Sequence, residues 1–137
     1  MIITFVKFLA CRDEEKGRAA VNQIIYSILE KSKTRSFQNI TIEFMQLDLS
    51  SFKSIHNFVE QFKAKNLPLH YLICNAGVMN IAKGKTEEGF ELHFGVNHLG
   101  HFLLTNLLLD ILKSSAPAKI INVSSDAHYM GISSLQH

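Results

Sequence analysis

The sequence is poor in the residues that mark several classes of protein. Its 137 residues contain no tryptophan, two prolines and two cysteines. Two cysteines are too few for the disulfide framework of a small secreted domain. Both of them, Cys11 and Cys74, lie in apolar, strand-like runs, which favours buried thiols over a disulfide. The length allows one domain, and with 47% hydrophobic residues this domain can bury a core of ordinary size.

Strong charge of one sign and long apolar runs are also absent. The net charge is +2, which argues against a nucleic-acid-binding surface. The N-terminal segment Met1–Ala10 has no basic start and is interrupted by Lys7, so it indicates a strand rather than a signal peptide. The Leu-rich segment Phe102–Leu112 contains polar residues and is shorter than the ~18 apolar residues that a membrane span needs. We therefore expect no membrane span within this chain.

Strand-like and helix-like segments alternate along the chain, which predicts an α/β fold with a parallel sheet. The predicted strands are Phe5–Ala10, Ile40–Leu47, Leu69–Asn75 and Lys119–Val123. The first predicted helix runs from near Asp13 to Glu30. The second starts after a Ser50 or Ser51 cap and is stopped at Asn66–Pro68, and the third runs from Thr86 to Lys113. We expect all four strands in one sheet, the last two adjacent, and the third helix largely buried. A polar loop over Lys31–Asn39 and a tail after Asp126 complete the chain.

Polar motifs follow the third and fourth predicted strands, and one more interrupts the third helix. Asn75, Ala76 and Gly77 close an apolar strand, and Ser125 follows another. Parallel sheets bind ligands outside the carboxyl ends of their strands, and a glycine there lets the backbone approach a ligand closely. Together with Asn97, inside an apolar helical segment, these motifs resemble the core of the short-chain dehydrogenase/reductase family, nearest to its retinol-dehydrogenase-like branch.

The resemblance implies a doubly wound Rossmann-type fold and a set of site roles. In the family, the serine at the position of Ser125 hydrogen-bonds the substrate oxygen, and the asparagine at that of Asn97 distorts its helix and holds a water in a proton relay. The turn Asn75–Gly77 packs beneath the adenosine ribose, and Asp48 faces the adenine amino group. The alternatives are a loop-start serine, a core asparagine bonded only to backbone, and a helix-capping Asp48.

The end of the first strand bears on the choice of cofactor. Arg12 stands where a dinucleotide-binding fold contacts the adenosine ribose or its 2′-phosphate. A guanidinium fork suits a phosphate, so we expect NADP(H) to be preferred over NAD(H). Two alternatives remain: Asp13 can accept from a ribose hydroxyl, and Arg12 can pair with Glu15 on the surface.

Two motifs of the family do not occur in this sequence. No glycine-rich phosphate turn precedes the first strand, and Tyr129 is followed four residues later by Ser133 rather than by the lysine of a Tyr-x-x-x-Lys pair. We therefore expect residues 1–137 to form one incomplete NAD(P)-binding domain that lacks the first β-α unit and the C-terminal part of the family's fold.

Two functions remain open at this point. One is an NADP(H)-dependent oxidoreductase acting on a small carbonyl or alcohol substrate, retinoid- or lipid-like by resemblance. The other is an inactive, truncated module that acts by associating with proteins, for which homo-oligomerisation through the Thr86–Lys113 helix is a candidate. The spacing of His93, His98 and His101 does not favour a metal site. The sequence does not decide between a cytoplasmic and a membrane-associated location.

Overall fold

The computed structural model describes residues 5–31 and 40–126 of the chain. Its elements, in order, are β1 (Phe5–Cys11), α1 (Glu14–Lys31), β2 (Ile40–Gln46), α2 (Phe52–Ala64), β3 (Tyr71–Cys74), α3 (Leu92–Phe94), a π-helical turn (Gly95–Gly100), α4 (His101–Ser114) and β4 (Lys119–Asn122). The predicted alternation and α/β class are confirmed. The predicted loop, apart from Lys31, and the tail with Tyr129 lie outside the described residues.

The strands form two parallel pairs. In the first, β1 pairs with β2, and Leu9 lies opposite Phe44; in the second, β3 pairs with β4, and Cys74 lies opposite Asn122. The predicted adjacency of the third and fourth strands is therefore confirmed. The expectation of one continuous sheet is wrong for the described residues, where the pairs are separate two-stranded sheets. Two strands can share hydrogen bonds only when they lie about 4.8 Å apart. No described strand pairs with both β1 and β3, so the two pairs stay separate.

The core lies where α2 and α4 pack against each other and against the strands. The apolar stripe predicted for α2 is buried, with Ile55 fully inside, and Leu108 of α4 is its counterpart. The ring of Phe8 on β1 meets the ring of Phe62 edge-on at 5.5 Å, which joins the first strand pair to α2. Burial of each such side chain stabilises the fold by about 1.5–3 kcal/mol. The packed layer of α2 and α4 therefore holds the ends of the strands in place.

The third helix starts later than predicted, at Leu92 instead of Thr86. The segment before it is a turn, in which Gly89 has a φ of 89° and Lys85 forms a bridge with Glu91. The Glu88 carboxylate accepts a hydrogen bond at 2.6 Å from the first backbone N–H of α2. This long-range capping contact holds the segment out of helical geometry.

The same helix is also less buried than expected. Of α4, only Leu104, Leu108 and Leu112 are buried, and Phe102 is 62% exposed. The hydrogen bonds of a π-helical turn join residues i and i+5 instead of i and i+4. The side chains after the turn are therefore rotated about the helix axis relative to those before it. Apolar residues on either side of the turn therefore point in different directions.

Candidate active site

An open cavity of about 740 Å³ lies at the carboxyl ends of β3 and β4. Five of the seven predicted site residues line it: Asn75, Ala76, Gly77, Asn97 and Ser125. The sequence placed these residues at strand ends and inside a helix, and the fold brings them to one concave surface. The other two predicted residues do not line this cavity and are described separately below.

The π-helical turn is built around Asn97, and its side chain ties the helix to the loop after β3. Asn97 Oδ1 accepts a hydrogen bond from Val78 N at 2.8 Å, and Asn97 Nδ2 donates to Val78 O at 3.0 Å. The side chain is exposed, not buried as the sequence suggested, yet its amide is bonded on both sides. The helix distortion that the family resemblance implies at this position is present.

Gly77 lies against this contact and leaves the backbone open to the cavity. A Cβ built at Gly77 would lie 3.2 Å from Asn97 Oδ1, which is a tight contact. A side chain at this position would therefore push on the Asn97–Val78 contact. The absence of that side chain leaves the backbone of the turn exposed to the cavity, and its contact with a cofactor stays a prediction.

The carboxyl end of β4 carries Ser125 into the cavity. Val123 N donates to Cys74 O at 3.0 Å, so the strand ends of β3 and β4 are held together just before the serine. Both Ser124 and Ser125 are exposed and line the cavity. The structure thus places a hydroxyl on the same surface as the Asn75–Gly77 turn, and its role as the substrate-oxygen donor stays a prediction.

A polar cluster behind this loop was not predicted. His101 Nε2 lies 2.7 Å from Ala76 O, and Cys74 Sγ lies 3.8 Å from Thr105 Oγ1. Burial raises the pKa of the Cys74 thiol, but the neighbouring His101 and Thr105 side chains outweigh it and leave the pKa below its ordinary value. The neighbouring Cys74 raises the pKa of His101 against the opposing effect of burial. The spacing of Cys74, Ala76 and His101 in sequence gives no signal of this cluster.

Arg12 lies at the end of the other strand pair. Leu47 N donates to Cys11 O at 3.0 Å, and the Gln46 side chain donates to Arg12 O at 3.3 Å, so the ends of β1 and β2 are joined here. The Arg12 side chain is exposed and forms no ion pair among the described residues, so the predicted alternative of an Arg12–Glu15 pair is not found.

The acidic side chains of Asp13 and Glu14, which follow Arg12, bond to groups of α1. Asp13 Oδ1 accepts from Lys16 N at 3.0 Å, and this backbone hydrogen bond lowers the pKa of Asp13. Glu14 pairs with Arg18 at 2.9 Å. Asp13 is therefore occupied at the start of a helix, where it complements the dipole, and the Arg12 guanidinium is left facing solvent.

Asp48 organises the turn between β2 and α2. Its Oδ1 accepts from Ser50 N at 2.8 Å and from Ser50 Oγ at 2.6 Å. The cap of α2 is Ser51, whose Oγ accepts from Ser54 N at 3.2 Å. Asp48 thus supports the turn without capping the helix itself, and its contact with adenine stays a prediction.

The histidines form ring contacts and a carboxylate pair. The His98 ring lies between those of Phe94 and Phe102, at 5.2 and 6.3 Å, and His93 pairs with Glu91 at 2.8 Å. Residues 5–31 and 40–126 contain no group of three His, Cys, Asp or Glu side chains able to hold a metal ion. In the same residues no helix is long and apolar enough to cross a bilayer.

Comparison with known proteins places these features in a family. Residues 11–136 match the profile of the short chain dehydrogenase family. The chain is 51% identical to human retinol dehydrogenase 11 over 124 residues, 90% of this chain and 36% of that protein. It is 55% identical to human polyprenol dehydrogenase over 126 residues, 89% of this chain and 36% of that protein. It therefore spans about a third of the length of these relatives.

A solved structure shows the same fold. NADPH-bound carbonyl reductase from chicken fatty liver superposes with a TM-score of 0.56 at 28% identity, over 88% of this chain and 48% of that one. The α/β architecture with parallel strands agrees with the sequence match. The chain belongs to the short chain dehydrogenase family, in its retinol-dehydrogenase-like branch.

Proposed function

We propose that this chain forms part of the cofactor and substrate site of an NADP(H)-dependent oxidoreductase that interconverts an alcohol and a carbonyl compound. The observation that carries the proposal is the shared cavity of Asn75–Gly77, Asn97 and Ser125. Because the chain spans about a third of its relatives, the activity is proposed for a protein that contains this segment.

Some residues of the cavity position the cofactor, and another polarises the substrate. The nicotinamide cofactor supplies or accepts the hydride when it is bound. The Ser125 hydroxyl donates a hydrogen bond to the substrate oxygen, which stabilises the charge that develops there as the carbonyl carbon gains hydride. Asn97 holds Val78 and, through it, the Asn75–Gly77 turn on which the adenosine half of the cofactor rests.

The preference for NADP(H) follows from Arg12. Its guanidinium has no ion-pair partner among the described residues, and its backbone follows β1 directly and accepts a hydrogen bond from Gln46 at the end of β2. Hydrogen bonds between a guanidinium and a phosphate are charge-assisted and often bidentate. These bonds favour the cofactor with a 2′-phosphate, while Asp13 is occupied at the start of α1.

The substrate proposed is a long apolar alcohol or its carbonyl counterpart. Met79 and Phe102 line the cavity and are 70% and 62% exposed, so they offer apolar surface beside Ser125. The names of the relatives, retinol dehydrogenase and polyprenol dehydrogenase, describe substrates of this class.

The proposal is tested by mapping cofactor binding onto the chain. Isotope-labelled protein is titrated with NADP⁺, and backbone amide shifts are followed by NMR, which detects even millimolar affinity. We expect the largest shifts at Ala76, Gly77 and Asn97, with no comparable shifts on the far end of α2. Shifts confined to surface lysines, or none at saturating cofactor, would refute binding in this cavity.

A second function, association through exposed strand and helix surfaces, is favoured by one observation. Among the described residues β1 bonds only to β2 and β3 only to β4, and Ile73 of β3 is 60% exposed. Sedimentation of the purified chain over a range of concentrations separates the two. A concentration-dependent oligomer without cofactor binding supports the association module, whereas a monomer that binds NADP⁺ supports the first proposal.

A further inference from the structure

The loop that leaves β3 is bonded to the helix on both sides of Gly77. His101 Nε2 lies 2.7 Å from Ala76 O, and because a carbonyl oxygen only accepts, the ring nitrogen donates this hydrogen bond. On the other side of the glycine, the Asn97 amide bonds both Val78 N and Val78 O. Two side chains that lie four residues apart therefore hold the residues before and after Gly77.

The bond from His101 fixes the direction of the peptide unit that joins Ala76 to Gly77. This peptide is trans, and in a planar trans peptide the C=O and the N–H point in opposite directions. Since Ala76 O points to His101, Gly77 N–H points away from it. Within residues 5–31 and 40–126 this N–H forms no hydrogen bond. The peptide therefore leaves an unbonded donor at a residue that lines the cavity.

A peptide unit that is followed by glycine can also turn over. Glycine accepts positive as well as negative φ, so the reversed orientation, in which the C=O and the N–H exchange directions, costs little at such a position. In the reversed orientation Ala76 O would point away from His101. The bond from His101 is the only hydrogen bond of this peptide among the described residues, so it is the bond that distinguishes the two orientations.

We propose that His101 is a positioning residue that holds the Ala76–Gly77 peptide in the single orientation that the cofactor site needs. This inference rests on the proposed function, in which the Asn75–Gly77 turn supports the cofactor. His101 acts through Ala76 O and not through a contact with the reacting atoms. When a site is only fractionally in its binding form, its apparent affinity is lowered by that fraction. Loss of the His101 bond therefore weakens cofactor binding by releasing the second orientation.

The first measurement needs no cofactor and uses the isotope-labelled 137-residue chain. NMR relaxation dispersion at the Gly77 amide detects exchange between two orientations on the microsecond-to-millisecond timescale. His101→Leu removes the donor, whereas the side-chain amide of His101→Gln can still donate to Ala76 O. We expect dispersion at Gly77 in His101→Leu and none in the parent or in His101→Gln, a rescue that a merely space-filling role would not produce.

The second measurement follows NADP⁺ affinity in a full-length protein that contains this segment. We expect His101→Leu to weaken NADP⁺ by about two- to tenfold, the equivalent of one ordinary hydrogen bond, and His101→Gln to keep most of the affinity. Asn106→Leu is the matched control, because it removes a side-chain hydrogen bond of the same helix, to Phe102 O. It should change neither the affinity nor the Gly77 amide.

Three results would overturn the proposal: no dispersion at Gly77 in a folded His101→Leu chain, an unchanged NADP⁺ affinity in that variant, or dispersion in the parent itself. If His101→Leu is unfolded by circular dichroism, His101→Asn takes its place, since its amide is one carbon shorter than that of glutamine and no longer reaches Ala76 O. Failure of the parent protein to bind NADP⁺ would instead refute the proposed function. Dispersion at Gly77 would still show whether His101 holds the peptide.

Discussion

Asn97 holds Val78 by both of its backbone polar groups, with Val78 N donating to Oδ1 at 2.8 Å and Nδ2 donating to Val78 O at 3.0 Å. The Asn97 side chain thereby bonds both the N–H and the C=O of Val78, as the backbone of a neighbouring strand would. It connects the π-helical turn to the loop that leaves β3. The geometry of the cavity depends on this contact, because Gly77 lies directly against it.

We expect Asn97→Ala to lower the free energy of unfolding by about 1–2 kcal/mol, since two hydrogen bonds are lost and Val78 keeps no replacement. Chemical denaturation gives the stability, and amide exchange at Val78 should become faster. The control is Asn106→Ala, because within residues 5–31 and 40–126 the Asn106 side chain bonds only to Phe102 O of its own helix. If Asn106→Ala lowers the free energy of unfolding as much as Asn97→Ala does, the contact with Val78 contributes no more than an ordinary side-chain hydrogen bond.

Gly100→Ala should destabilise the chain by about 1–3 kcal/mol, the range for an overpacked site. A Cβ at Gly100 would lie 2.6 Å from Leu49 O, and a backbone atom cannot give way as a side chain can. At Gly84 the nearest atom is the flexible Leu92 Cδ2 at 3.2 Å, so Gly84→Ala serves as the control. Thermal unfolding of the two variants should separate them clearly; equal melting temperatures would count against close packing of the π-helical turn on the β2–α2 loop.

The stability contributed by Glu91 should depend on pH in a defined direction. Hydrogen bonds from Phe94 N and His93 lower the pKa of Glu91 from 4.5 to about 2 in the folded chain. A depressed pKa contributes stability above pH 4.5 that is lost as the pH falls towards 2. Denaturation midpoints of the parent should therefore exceed those of Glu91→Gln near pH 6 and converge with them near pH 2. A difference that stays constant over this range would contradict the role of the charge.

The purified 137-residue chain should show no measurable oxidation of NADPH with retinal or simple ketones. Tyr129 is followed four residues later by Ser133, so the sequence offers no Tyr-x-x-x-Lys pair for proton transfer. Positioned general acid–base catalysis typically contributes about 10²–10⁴-fold. Turnover that is abolished by Ser125→Ala would contradict this expectation and would mean that another group supplies the proton.

The order of elements and most strand ends could be predicted because each strand is an apolar run closed by a polar or turn-forming residue. Asp48 and Asn75 mark such ends, and the structure ends β2 and β3 within two residues of them. The start of the third helix could not be predicted. It depends on the turn at Gly89 and on the contact between Glu88 and the N-terminus of α2, which are distant in sequence.

The environment of His101 was also beyond the reach of sequence patterns. A helical wheel drawn through Thr86–Lys113 assumes a uniform 100° per residue, whereas the π-helical turn shifts everything after Gly100. The sequence therefore offered His101 only as a doubtful metal ligand. Its hydrogen bond with Ala76 O emerges once the distortion is known, although the asparagine within the turn was recognisable from the family resemblance.

The central claim is that the carboxyl edge of these strands holds an NADP(H) cofactor with Arg12 at its 2′-phosphate. It is tested most directly in a full-length protein that contains this segment, by measuring its affinity for NADPH and NADH at low ionic strength, with and without Arg12→Ala, and with Lys16→Ala as a control for general loss of positive charge. We expect Arg12→Ala to weaken NADPH by about tenfold or more, as loss of charge-assisted hydrogen bonds of about 1.5–3 kcal/mol implies, and to leave NADH almost unchanged. Equal weakening of both cofactors, or equal effects of Arg12→Ala and Lys16→Ala, would contradict the account.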